Sequence, residues 1–241
     1  MNTAVQLTYT DNLLYFPGAI PQEPERRSTS LYKSNGIPKA TAADPIRDPA
    51  DIKAMQQYYL SRGQIRNYTI FTVGIMFGIR GSDLCEMKVH HILTADGHFK
   101  NHCDMVEKKT RKFNNPAITP ALQRILADYL ETLGAYSMDD YLFMSRERDI
   151  NGCSKPLTIQ QLRNIIKAAA KACNVPGHIS PHSMRKTFAY QLLKQNPDND
   201  EVKFALQKML NHDSFQTTLT YCGLAQDAID KYRAGLEEVL I

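Results

Sequence analysis

The sequence predicts an α+β fold that is mainly helical, with a small three-stranded antiparallel sheet at one edge. Three observations lead there. Helix-start signals stand ahead of periodic apolar segments at Asp48-Pro49, Thr119-Pro120, Thr158 with Gln161, and Ser180-Pro181. After Glu86 the pattern changes to the short β-prone runs VHHIL, HFKNHCDMVEK and FNNPAIT. Residues 1–45 hold five of the twelve prolines, and their four acidic and four basic side chains cancel, which marks an extended arm or linker ahead of a folded domain at 46–241.

Taken in order, Asp48 can accept an orphan N–H and Pro49 needs none, so a helix opens there and runs to about Arg62. A second is expected from about Ile65 to Ile79. Its apolar stretch, Thr69 to Ile79, falls well short of the roughly 18 residues of a membrane span, so it reads as a buried helix. The three strand candidates follow, separated by Asp96-Gly97 and by the basic cluster KKTRK at 108–112. Thr119-Pro120 begins a helix to about Leu133, and the Thr158/Gln161 capping box one to about Cys173. Ser180-Pro181 starts the next. Asp200 caps one ending near Leu210, a short one covers Ser214 to Tyr221, and a last runs from about Ala225 to Val239.

Composition narrows the class. Hydrophobic residues at 43% and charged ones at 22% belong to a globular protein rather than a disordered or fibrous one. The net charge of +4, all of it within 46–241, permits a polyanionic partner without demanding one. Five cysteines, odd in number and never in a C-x-x-C pair, point to free thiols and a cytoplasmic location. The opening MNTAVQLTYTDNLLYF lacks a basic start and a clean apolar run, so no secretory signal is expected. His98, His102 and Cys103, with His90 and His91 nearby, lack a clear fourth ligand, and neither metal nor cofactor is expected.

The chemistry concentrates in SPHSMRKTFAY and, downstream, MLNHDSFQTTLTYCG. His182 and Arg185, three apart at the start of a helix, share a face near the positive end of the helix dipole, which suits a phosphate. Tyr221 comes nine residues after His212, a spacing that lets a turn and a short helix bring its hydroxyl back to that face. In GIRGSDLCEM, Arg80 ends an apolar helix, and Asp83 three residues later can brace its guanidinium from behind. Lys109 falls at the tip of the KKTRK hairpin, and Lys108 or Lys112 takes that place if the register slips. Singly these are a capping arginine, a basic turn and a half-buried tyrosine.

Together, in the order Arg80, Lys109, His182, Arg185, His212, Tyr221, they resemble the active-site constellation of the tyrosine recombinases, the phage integrase family. The resemblance covers roughly residues 46–241 and rests on H-S-M-R, L-N-H-D-S-F-Q-T-T-L-T-Y and G-I-R-G-S-D-L. It implies a helical catalytic domain acting on double-stranded DNA, with Tyr221 joined to a 3′ phosphate and His212 donating a hydrogen bond to that phosphate. It also implies site-specific recombination, such as integration or excision of a mobile element, without metal or ATP. Lys108, Arg111, Lys112 and Lys186 are the cations expected on DNA. Residues after Leu224 resemble the family's terminal helix, which commonly packs on a neighbouring subunit, so DNA-bound dimers or tetramers are expected.

The residue types fit the reaction on chemical grounds. Tyrosine titrates near 10, so at pH 7 only about one hydroxyl in a thousand is ionised, and His182 is the candidate base. Charge gathers on the non-bridging oxygens, where Arg80 and Arg185 form a clamp. The departing sugar oxygen needs a proton, which Lys109 can deliver. Two features depart from the family. Residues 1–45 cannot contain the additional helical domain that most members carry before the catalytic one, which leaves a minimal enzyme, a truncation or a fragment. Asn211 stands where a glycine is general. A DNA-binding regulator on the same fold and a type IB topoisomerase are the alternative readings.

Overall fold

The structure, a computed structural model, describes residues 43–148, 154–210, 212, 214–224, 227–231 and 233–234. The proline-rich arm up to residue 42, Asn211 and most of the expected terminal helix lie outside the described residues, although 227–231 and 233–234 are helical.

The core is organised around α2 (Ile65–Phe77), the apolar run of the sequence, which buries Ile70, Phe71, Val73 and Phe77 together with Thr69, Thr72 and Gly74. α1 (Pro49–Leu60) packs against it, opened as expected by Asp48, whose carboxylate accepts from the Ala50 N–H at 2.8 Å. α2 stops at Gly78, which adopts the left-handed conformation at φ +58. That stop leaves Arg80 outside α2. It begins a short helix, α3 (Gly81–Cys85), which the sequence reading did not assign.

The expected three-stranded sheet is replaced by two two-stranded antiparallel ladders. β1 (Met105–Val106) pairs with β2 (Phe113–Asn114), joined by the KKTRK turn. β3 (Met144–Arg148) pairs with β4 (Ser154–Pro156), which the sequence did not signal. VHHIL forms no strand. Val89–His91 is a 3-10 turn in which the His91 ring accepts from the Lys88 N–H at 2.8 Å, while the Val89 and His90 N–H groups are used by Asp140 and Met138 carbonyls. With its donors spent there, the segment contributes only an isolated bridge, Leu93 to Phe99.

The remaining helices follow their caps. α4 (Pro120–Leu133) starts at Thr119 and α5 (Ile159–Ala172) at the Thr158/Gln161 box. α6 (Pro181–Gln195) crosses α2 so closely that a Cβ on Gly74 would lie 2.5 Å from the Met184 sulfur. α7 (Asp200–Leu210) and α8 (Phe215–Cys222) follow. These last two do not join the main core. With α6 they enclose a second, smaller cluster of Ala189, Tyr190, Leu193, Leu206, Leu210 and Cys222.

Gly78 joins this packing to the site, because its carbonyl accepts a hydrogen bond from Arg185. A Cβ there would meet the Phe188 ring, and the positive φ strains any side chain. Gly78→Ala is therefore expected to destabilise the protein by roughly 1–3 kcal/mol in urea unfolding.

Candidate functional site

α6 presents the first part of the site. Ser180 and Ser183 form its capping box and Pro181 its first position, so the His182 and Arg185 side chains leave from the opening turns. Arg185 is only 4% exposed. Its guanidinium donates to the Gly78 carbonyl at 2.9 Å and lies 3.5 Å from the Met209 carbonyl, so it spans the gap between the ends of α2 and α7. His182 is exposed beside it.

Arg80 reaches the same place from the start of α3. Its Nη1 donates to Glu107 Oε2 at 2.5 Å, and Glu107 Oε1 lies 3.5 Å from Arg185 Nη1. One carboxylate, itself 1% exposed, thus stands against both arginines. Asp83, the expected brace, lies near enough for the Arg80 and Arg185 charges to act on it but makes its hydrogen bond elsewhere. It is buried and turned to the hairpin, where its Oδ1 accepts from the Lys108 N–H at 3.0 Å. Sequence reasoning missed Glu107, although a signal was present: strand alternation puts it on the same inward face as Met105, with exposed Val106 between them.

The two carboxyls are shifted in opposite directions. Burial pushes Asp83 up, and the Lys108 N–H with the Arg80 and Arg185 charges only partly offsets it. Burial also acts on Glu107, but donation from Thr110 and Arg80 and the two guanidinium charges outweigh it and hold this carboxyl below its usual range.

The hairpin carries the lysines as expected. Glu107 and Lys112 close the turn through a 2.9 Å backbone bond, and Arg111 takes the left-handed conformation at φ +57. Lys108 is drawn aside by an ion pair with Glu86. Lys109 sits exposed in the turn, close enough for its charge to act on His182. Arg111 and Lys112 are exposed on the same turn.

Tyr221 completes the cluster from α8, a helix held by Ser214 at its start and by Gly223, at φ +81, at its end. The His212 ring meets the Tyr221 ring edge to face, centroids 5.1 Å apart, and the other His212 edge contacts Thr218 Oγ1 at 3.0 Å. The Arg185 guanidinium lies close enough to the Tyr221 hydroxyl for its charge to act on it. Lys186, expected on DNA, lies with its ammonium 5.0 Å from the centre of the Tyr221 ring. Burial raises the Tyr221 phenol, against the pull of Arg185 and Arg80. Partial desolvation, with the Arg185, Lys186, Arg80 and Lys109 charges, lowers His182, which leaves its imidazole neutral near pH 7 and able to accept a proton.

The structure therefore brings all six predicted residues to one locality. Two guanidiniums, a lysine, two imidazoles and a phenol suit a phosphate anion that is attacked while held. Among the described residues no group of three or more His, Cys, Asp or Glu side chains could hold a metal ion, and no helix is long and apolar enough to cross a membrane.

Comparison with known proteins agrees with this geometry. Residues 48–227 match the family described as Phage integrase family. The chain is 32% identical over 184 residues to "Probable integrase/recombinase YoeC" of Bacillus subtilis (strain 168), covering 76% of this chain and 91% of that protein. It is 25% identical over 209 residues to "Tyrosine recombinase XerC" of Thermodesulfovibrio yellowstonii, covering 86% of this chain and 65% of that one. Against other relatives described as tyrosine recombinases it spans as little as 52% of their length. Among solved structures, XerA recombinase superposes with a TM-score of 0.59 at 20% identity, covering 89% of this chain and 66% of that one. A lambda integrase dimer bound to a COC' core site superposes at 0.55 with 17% identity, covering 77% and 61%. At these identities the structural likeness establishes the fold.

The lowered His182 has a consequence for stability. The folded protein binds this proton less well than the unfolded chain, so stability should fall as pH drops through the ordinary histidine value near 6.5. His182→Asn should flatten that part of a melting-temperature profile against pH, and an unchanged slope would count against the depressed value.

Proposed function

This chain belongs to the phage integrase family, and on that premise we propose that it is a site-specific DNA recombinase working through a covalent 3′-phosphotyrosyl intermediate. The observation that carries the reading is the placing of Tyr221, against the His212 ring and within reach of the Arg185 charge, at the cluster where Arg185 and Arg80 share Glu107. Residues 46–241 act as the catalytic domain and 1–45 as an arm.

In this scheme Arg80 and Arg185 hold the non-bridging oxygens of one phosphodiester. Tyr221 loses its proton to neutral His182 as its oxygen bonds to phosphorus. The bond from phosphorus to the 5′ oxygen breaks, and Lys109 supplies the proton that makes that oxygen a competent leaving group. His212, held in place by Thr218, donates to the phosphate as its charge rises. One phosphoester replaces another, so the 5′ hydroxyl of either the same or a second strand can reverse the attack without ATP. Lys109 is favoured over Lys108, which Glu86 engages. Lys108, Arg111, Lys112 and Lys186 lend positive charge to the DNA-facing side, and residues after Leu224 serve contacts between subunits. A DNA substrate and unpaired cysteines both suit the cytoplasm.

Tyr221→Phe should abolish the covalent protein–DNA band formed on nicked suicide duplexes in EDTA while leaving duplex affinity within about threefold of wild type. A regulator would lose nothing measurable, and relaxation of plasmids lacking any special site would favour a topoisomerase. Lys109→Ala should slow adduct formation by on the order of 100-fold or more, and a bridging 5′-sulfur substrate, whose thiolate leaves without a proton, should restore it. Absence of that rescue would move the acid role elsewhere.

A further inference from the structure

Glu107 takes no step in the scheme above, yet it is the residue on which the scheme's two arginines converge. Its Oε2 accepts from Arg80 Nη1 and from Thr110 Oγ1, each at 2.5 Å. Its Oε1 accepts from Asn114 Nδ2 at 3.3 Å and lies 3.5 Å from Arg185 Nη1. The carboxylate is 1% exposed, so these donors replace water almost entirely.

We infer that Glu107 is a positioning residue for the strand-cleavage step, fixing the spacing of the Arg80 and Arg185 guanidiniums and tying the hairpin that carries Lys109 to them. The inference rests on the recombinase reading. Two cations converging on one phosphate repel each other before it arrives, and an anion set behind them offsets that repulsion without occupying the face that meets the substrate. One negative charge against two positive ones leaves a single positive charge, matched to a phosphodiester monoanion. Glu107 also belongs to the hairpin itself. Its backbone N–H bonds to the Lys112 carbonyl and its carbonyl accepts from the Arg111 N–H, both at 2.9 Å. A shift of the carboxylate relative to Arg80 therefore moves the turn on which Lys109 rides.

Asp83 feels the same two guanidinium charges but is held differently. It contacts the hairpin backbone through the Lys108 N–H and makes none of the guanidinium contacts described for Glu107.

The test is single-turnover adduct formation on the nicked duplex at saturating protein, followed across pH for wild type, Glu107→Gln, Glu107→Asp and Thr110→Val. Glu107→Gln keeps the shape but removes the charge. It should slow the step by on the order of 10- to 100-fold, with duplex affinity within about threefold of wild type. Loss of the anion also makes the surroundings of His182 and Tyr221 more positive, so the acid limb of the rate profile should move down by roughly half to one pH unit. Glu107→Asp should recover part of the rate, and Thr110→Val, which removes one donor to the same carboxylate, should cost roughly 3- to 10-fold. Wild-type rate and profile in Glu107→Gln would overturn the inference and leave the recombinase reading intact. So would a Glu107→Gln protein that loses rate only in proportion to its folded fraction while Thr110→Val behaves as wild type. If wild-type protein forms no adduct on any duplex, the recombinase reading falls and this inference with it.

Discussion

A guanidinium taken almost wholly out of water must find acceptors for its donors, and Arg185 finds them on separate parts of the chain: the Gly78 carbonyl, the Met209 carbonyl and Glu107. An unsatisfied charge in that position would cost several kcal/mol, so the fold cannot place Arg185 without also fixing the end of α2, the end of α7 and the hairpin. The abrupt stop of α2 at Gly78 exposes the carbonyl that Arg185 uses and allows the chain to turn so that Arg80 begins α3. The phenol of Tyr221 then meets a cation that is already held from several sides.

Two buried carboxyls near these arginines show how local donors tune a charge. Both feel the guanidinium charges, but Asp83 receives only one backbone N–H and is raised by burial, whereas Glu107 also receives a hydroxyl, an amide and a guanidinium N–H and is held below its usual range. Sequence distance from Arg80 favoured Asp83. Three-dimensional access favoured Glu107, because the hairpin folds back over α3 while the Asp83 carboxylate is taken up by the Lys108 N–H.

What could be read from the sequence was what local physics dictates. Asp48, Thr119, Thr158 and Ser180 cap their helices as expected, and the apolar run of 69–79 supplies α2 and the Gly78 loop. The site residues were singled out by the resemblance of their joint pattern to a family's, which His182 and Arg185 on one helical face and Lys109 in a plainly basic turn suit. The sheet was not legible. Strands of two or three residues, as three of the four described are, carry too little periodicity, and the fate of VHHIL turned on carbonyls of Met138 and Asp140 some fifty residues away. Glu107 escaped for the same reason, since its partners become neighbours only after the hairpin closes.

The division of the interior into two apolar clusters bears on how such a protein can evolve. Helix α6 belongs to both, with Met184 in the larger and Ala189, Tyr190 and Leu193 in the smaller, while the helix that carries Tyr221 rests on the smaller alone. Sequence drift among Leu206, Leu210 and Cys222 therefore acts first on the helix that presents the tyrosine and reaches Arg185 through the Met209 carbonyl, while Arg80 keeps its footing on the main body. Presentation of the nucleophile can drift further than the scaffold, with α6 and its arginine as the link between them.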